Sequence, residues 1–159
     1  FARRPPDQIE KADLNTVITN ALSFFDSRIR TGGVTVNRHR ANGAVVVRGD
    51  EIRLEQVLIN LFSNALDAME ETEPRTLDVI VEETAGTVDL VIRDTGKGLG
   101  EDELKQIFDP FFTTKEVGEG LGLGLSISYN IIKDFDGTLR ASSEAGIGTS
   151  FSIKLPRGT

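Results

Sequence analysis

Asn60, Asn64 and Asp67 recur on one edge of a segment with helical apolar spacing. At about 100° per residue they fall within roughly 60° of one another. They border a buried arc made by Leu54, Val57, Leu58, Leu61, Phe62, Ala65 and Met69. One asparagine on a helix edge is most often solvated or bonded to a loop. Two in mid-helix oppose local propensity, a conflict that tends to mark sites, and an amide oxygen is a hard ligand suited to Mg²⁺ beside substrate phosphates. Asp94-Thr95-Gly96-Lys97-Gly98 follows an apolar strand. Alone it reads as a strand-to-loop turn. Asp-Thr-Gly is also the triplet of aspartic proteases, in which two carboxylates share a proton; a single copy would need a dimer. Gly118-Glu119-Gly120-Leu121-Gly122-Leu123-Gly124-Leu125 runs into a helix. Glycines admit phosphate to backbone N–H groups and a helix start adds partial positive charge, so the run can cradle an anion. It fits neither the Walker A loop nor the dinucleotide fingerprint, and a glycine-rich loop without such a pattern is commonly only a mobile one.

The elements that must position these groups are legible from periodicity. Asp13 caps a helix carrying Leu14, Val17, Ile18, Ala21, Leu22 and Phe25 that ends at Gly32 and Gly33. Strand-like runs follow at 34–37 and 45–48, with Ala41, Asn42 and Gly43 as the turn between them. Asp50 caps the long helix to about residue 71, where Thr72, Glu73 and Pro74 stop it. Residues 76–83 and 87–93 alternate as a hairpin around Ala85 and Gly86. Residues 94–124 hold dense glycines around a short helix at 101–107, a length of loop that is more often functional than connecting. A helix at 125–134 and strands at 138–143 and 149–155 complete the chain. Helices first and strands grouped later predict an α+β, two-layer sandwich: a mixed, mostly antiparallel sheet of about five strands or more on about three helices.

With 159 residues the chain is the size of one domain. Residues 1–12, with Arg3, Arg4, Pro5 and Pro6 and no apolar period, read as a linker from an upstream domain, and 13–159 as the domain itself. Eighteen basic against 25 acidic residues give a net charge of -7, which disfavours nucleic acid and anionic lipid as partners. Without cysteine there is no disulfide or thiolate chemistry, and the single histidine, His39, cannot build a histidine metal cluster. No apolar run reaches the 18 or more residues of a membrane span, and no signal peptide opens the chain. It begins on Phe1, as a piece of a longer protein would.

In this order the motifs resemble the histidine kinase branch of the ATPase superfamily that also holds gyrase, MutL and the ninety-kilodalton heat-shock chaperone. The match spans about residues 13–156. Asn60-Leu-Phe-Ser-Asn64-Ala-Leu-Asp67-Ala68 resembles the N box, Asp94 to Gly98 the G1 box, Phe108-Asp-Pro-Phe-Phe-Thr-Thr-Lys115 the F box, Gly118 to Gly124 the G2 box, and Gly146-Ile147-Gly148-Thr149 the last glycine motif. The wording near 113–132 and the opening Phe-Ala-Arg-Arg-Pro are similar to C4-dicarboxylate sensor kinases of the DctB type. Phe135-Asp136-Gly137 departs from the paired glycines usual there.

The resemblance implies the Bergerat ATP-binding fold and a protein-histidine kinase. Its γ-phosphate acceptor would lie on an absent upstream dimerisation domain, since His39 sits among basic residues near a strand end. It implies ATP and Mg²⁺, with Asn64 on the metal, Asn60 assisting beside it, and Asp94 accepting from the adenine amine. Gly96 and Gly98 would keep backbone near the ring, and Thr149 would support the carboxylate through water. Residues 109–120 would form the ATP lid, with Gly120, Gly122 and Gly124 near the phosphates. Lys115 would either reach a phosphate oxygen or remain a surface lysine. Asp67, Phe108, Thr114, Leu121 and Leu123 would complete the nucleotide-binding set. Partners would be the phosphoacceptor domain and a response regulator receiver domain, with no nucleic acid and no direct membrane contact. The parent would be an inner-membrane sensor with this domain in the cytoplasm. A gyrase- or MutL-like conformational ATPase and a non-catalytic nucleotide-binding scaffold are the competing functions. An amide at position 60, where those ATPases carry a glutamate, argues for slow hydrolysis.

Overall fold

Strict alternation of buried and exposed side chains in two eight-residue runs is what a half-buried strand demands, and a computed structural model of the chain builds its sheet around them. The structure describes residues 10–39, 43–109 and 124–158. In chain order the elements are β1 (Lys11–Asp13), α1 (Leu14–Phe24), α2 (Asp26–Thr31), β2 (Thr35–His39), β3 (Val46–Arg48), α3 (Glu51–Ala68), β4 (Thr76–Glu83), β5 (Thr87–Asp94), α4 (Glu101–Gln106), α5 (Gly124–Asp134), β6 (Thr138–Glu144) and β7 (Gly148–Pro156). The main sheet has five strands in the order β2-β4-β5-β7-β6, parallel between β2 and β4 and antiparallel elsewhere. The second sheet is the small antiparallel pair β1-β3. This is the α+β sandwich that the periodicity predicts.

Three amphipathic helices supply the second layer. α3 packs between α1 and α5 and over β5 and β7. Its Leu54, Val57, Leu58, Leu61, Phe62, Ala65 and Leu66 are buried, one broad stripe at helical spacing. They meet Leu77, Val79, Leu90, Ile92, Phe151, Ile153 and Leu155 from the sheet. The Asp50 carboxylate caps α3 by accepting from the Arg53 N–H at 3.1 Å. Asp13 caps α1 through the Asn15 N–H and also accepts from the Val45 N–H, so one side chain starts the helix and holds the approach to β3.

Four boundaries differ from expectation. Lys11 and Ala12, read with the linker, are part of β1 because Arg48 and Val47 pair with them. The first helix breaks at Phe25, which is buried while Phe24 is exposed, and α2 then turns Arg28 toward the end of α3. The runs at 34–37 and 45–48 do not pair with each other: β2 takes β4 and β3 takes β1. α3 stops at Ala68 rather than near residue 71, because the Lys97 N–H claims the Ala68 carbonyl at 3.0 Å.

Asp136, in the segment that lacks paired glycines, has φ 61, the left-handed region that glycine occupies without steric penalty. Its carboxylate meets Arg48 at 3.5 Å in an exposed pair that adds little stability. Asp136→Gly is therefore expected to stabilise the domain by about 0.5–1 kcal/mol. Urea unfolding checks this; an unchanged or lower midpoint would contradict it.

Candidate nucleotide site

Along β5 the inward positions are Val88, Leu90, Ile92 and then Asp94, so the alternation that builds the core delivers a carboxylate to its next place, 5% exposed. β7 carries Phe151, Ile153 and Leu155 inward, with Thr149 heading the row at 6% exposed. On β6, Leu139 and Ala141 lead to Ser143. The inner face thus turns from apolar to polar along a single row across three strands. Ser143 stands opposite Thr149 in register, and the Thr149 N–H donates to Asp94 Oδ1 at 3.3 Å. The Gly96 N–H donates to the same oxygen at 2.8 Å. Burial raises the Asp94 carboxyl above the ordinary carboxylate value, and the hydrogen bonds from Gly96 and Thr149 oppose that rise.

The turn after Asp94 is clamped from both sides. A Cβ on Gly96 would stand 2.6 Å from the Ala68 carbonyl oxygen, so only glycine lets this backbone lie against the end of α3. Gly98 has φ 70 and lies so close to Glu144 that a Cβ would collide with its carbonyl oxygen. The Gly146 N–H donates to the Lys97 carbonyl at 2.7 Å. Thr95 ties the outer side down: its Oγ1 donates to the Pro74 carbonyl at 2.6 Å and accepts from the Thr76 N–H at 2.9 Å.

Asn60 lies at the seam of α3 and α5. Its Nδ2 donates to the Gly124 carbonyl at 3.3 Å and to Ser128 Oγ at 3.2 Å. A carbonyl can only accept, so the nitrogen must face Gly124, and among the described residues the amide oxygen takes no hydrogen bond. Asn64, one turn along, is half-buried and makes no hydrogen bond among the described residues. From Asn60 to Ala68 the helix advances about 12 Å. α3 thereby joins two groups: Asn60 with Gly124 at the end of the glycine run, and Ala68 with the turn holding Gly96, Gly98, Asp94 and Thr149. Asp67 pairs with Arg28 at 2.6 Å, and Arg28 also reaches Glu70 at 3.0 Å. The Phe108 ring packs 5.3 Å from that of Tyr129, beside α5. Thr114, Lys115, Gly120, Leu121, Gly122 and Leu123 lie outside the described residues. Among the described residues the hydrogen bonds to Asp94 come from the Gly96 and Thr149 N–H groups, and none joins it to a second carboxylate as a protease dyad would require.

Sequence reasoning gives no role to Ser128, Ser143 or Arg28, and names Ala68 only as the end of the N-box match. Ser143 is two residues beyond Ala141 on an alternating strand, which marks it as inward, but its partners follow only from strand register. Ser128 lies four residues after Gly124, on the same side of its helix.

The family model described as histidine kinase-, DNA gyrase B- and HSP90-like ATPase matches residues 49–159, and the chain belongs to this family. Over 158 residues it is 39% identical to the C4-dicarboxylate transport sensor protein DctB of Pseudomonas aeruginosa, and over 157 residues 36% identical to that of Rhizobium meliloti. Each alignment covers 99% of this chain and 25% of the relative, so the chain spans about a quarter of their length. Among solved structures, the nucleotide-free catalytic domain of the histidine kinase ThkA superposes with a TM-score of 0.82 at 30% identity, covering 94% of this chain and 96% of that one. ThkA in complex with the response regulator TrrA gives a TM-score of 0.78 at 29% identity, over 94% of this chain and 42% of ThkA. The resemblance to DctB-type sensor kinases is borne out.

The raised Asp94 carboxyl makes a stability prediction. The folded chain holds this proton more firmly than the unfolded chain does. Its contribution is complete below the unfolded value of about 3.9 and is lost as pH rises through the higher folded value. Asp94→Asn, which cannot ionise, should therefore show a higher urea midpoint than the parent at pH 7, with the difference shrinking toward pH 4. An Asn variant no more stable than the parent at pH 7 would show that burial does not dominate at this carboxyl.

Proposed function

We propose that this chain is the catalytic part of a two-component sensor kinase, holding Mg-ATP and presenting its γ-phosphorus to a histidine on a separate dimerisation domain. The observation that carries the reading is the buried Asp94 carboxylate at the polar end of the core row, joined through α3 to a seam of asparagine amides. A desolvated acceptor selects for a donor: the exocyclic amine of adenine satisfies it, whereas the guanine carbonyl would face it lone pair to lone pair. Family membership and the likeness to the ThkA catalytic domain support the same reading.

Among the described residues no three His, Cys, Asp or Glu side chains gather as a metal cage. Mg²⁺ would instead be carried chiefly by substrate phosphates and waters, with the amide oxygen of Asn64 as protein ligand. Held there by Asn64, Mg²⁺ would supply positive charge to offset that of the phosphates during transfer. Asn60, its nitrogen committed to Gly124 and Ser128, is no general base for water. The phosphate would then be kept for the imidazole nitrogen of the acceptor histidine, which forms a P–N bond as the bond to the β-phosphate oxygen breaks and ADP leaves. A response regulator would receive the phosphate next. Among the described residues no helix is long and apolar enough to cross a membrane. The likeness to DctB-type sensor proteins is what supports placing this domain in the cytoplasm of a membrane-anchored parent.

Incubation with γ-labelled ATP and the separately made histidine-bearing domain should label that domain. Steady ADP release without label transfer would favour the conformational ATPase instead. Asn64→Ala should remove most of the Mg²⁺-dependent gain in ATP affinity, about tenfold or more for a lost charge-assisted contact, and leave metal-free binding intact. Equal affinities of variant and parent with and without metal, in calorimetry, would take Asn64 out of the site.

A further inference from the structure

The polar row ends in hydroxyls whose protons are already assigned by their neighbours. Ser143 Oγ lies 3.0 Å from the Gly148 carbonyl oxygen, 2.7 Å from the Leu99 nitrogen and 2.8 Å from Thr149 Oγ1. The carbonyl can only accept and the backbone N–H can only donate. The one assignment that makes all three contacts hydrogen bonds has Ser143 giving its single proton to Gly148 and taking the Leu99 N–H on one lone pair, leaving one lone pair for Thr149. Thr149 must then spend its own proton on Ser143. What remains on Thr149 Oγ1 is acceptor capacity alone. Beside it, Asp94 is held by the N–H of the same Thr149 and, when ionised, is also an acceptor alone.

We propose that Ser143, which need not touch the nucleotide, is a specificity-determining positioning residue: by holding the Thr149 proton away from the base, it makes this end of the site complementary only to donors. An amino-purine nucleotide is then accepted, while a keto-purine one meets lone pairs from two side chains. The proposal rests on the reading of Asp94 as the acceptor for the base. It adds a relay across β6 and β7 that controls which way the neighbouring hydroxyl points. Without Ser143, the Thr149 hydroxyl is free to rotate and donate to a keto oxygen.

Competitive displacement of a fluorescent ATP analogue by ATP and by ITP, whose base carries a keto oxygen in place of the amine, tests this on the chain as it stands. Ser143→Ala should narrow the ATP-to-ITP affinity ratio by about tenfold, chiefly through tighter ITP binding. Ser143→Thr, which keeps a hydroxyl, should retain the parent ratio. On a Thr149→Val background the Ser143→Ala change should no longer move the ratio, because no hydroxyl is left to turn. If Ser143→Ala does not fold, Thr149→Val alone carries the test and should weaken ATP by a few-fold; unchanged ATP affinity there would overturn the proposal. Equal weakening of both nucleotides in Ser143→Ala, with the ratio intact, would reduce Ser143 to a structural staple and overturn the relay while leaving the adenine reading standing. Failure of the parent chain to bind ATP at all would sink both.

Discussion

A carboxylate that has lost most of its water must be compensated by its surroundings, and Asp94 is the point at which the fold meets that requirement. Its position is inherited from the strand: the residue after Ile92 on the inward row cannot avoid the core side of the sheet. Two backbone N–H groups, from Gly96 and Thr149, converge on one of its oxygens. Gly96 can serve only because it has no Cβ to strike Ala68, and Thr149 only because β7 pairs with β5 in this register. The inner face of the sheet is thus a core for most of its length and a polar floor at one end.

α3 carries this local arrangement across the site. It is anchored in the core by the stripe from Leu54 to Leu66, and two of its polar attachments involve the turns and loops around the candidate site. At Asn60 it bonds the start of α5, immediately after the glycine run; at Ala68 it gives its carbonyl to Lys97. A helix held at both places fixes the spacing between the turn after Asp94 and the start of α5 about as firmly as the core itself is packed. Arg28, reaching in from α2, draws Asp67 and Glu70 together at the end of the same helix.

Part of this arrangement is legible in the sequence. Period 3.6 along the helix that begins after Asp50 puts Asn60 and Asn64 at the edge of the apolar arc, whereas Asp94 reads as the first residue of a turn and is inward only because the strand runs one residue past 93. What escaped depends on contacts between segments far apart in sequence. The early end of α3 is dictated by Lys97, 29 positions after Ala68, and no local signal at 69–71 announces it. The strands near 35 and 46 look like a hairpin because they are neighbours in sequence, but β4 and β1 bind them instead. Ser143 is an ordinary strand serine until register sets it against Thr149. The break at Phe25 is hidden because an uninterrupted helix has the same apolar spacing as α1 followed by α2.

The account is tested most directly by crystals of the chain grown with Mg²⁺ and a non-hydrolysable ATP analogue. It requires the exocyclic amine at about 3 Å from the Asp94 carboxylate and the triphosphate running along α3 toward Asn60 and Asn64. Density for the base anywhere else, or a phosphate lying against Asp94, would contradict it.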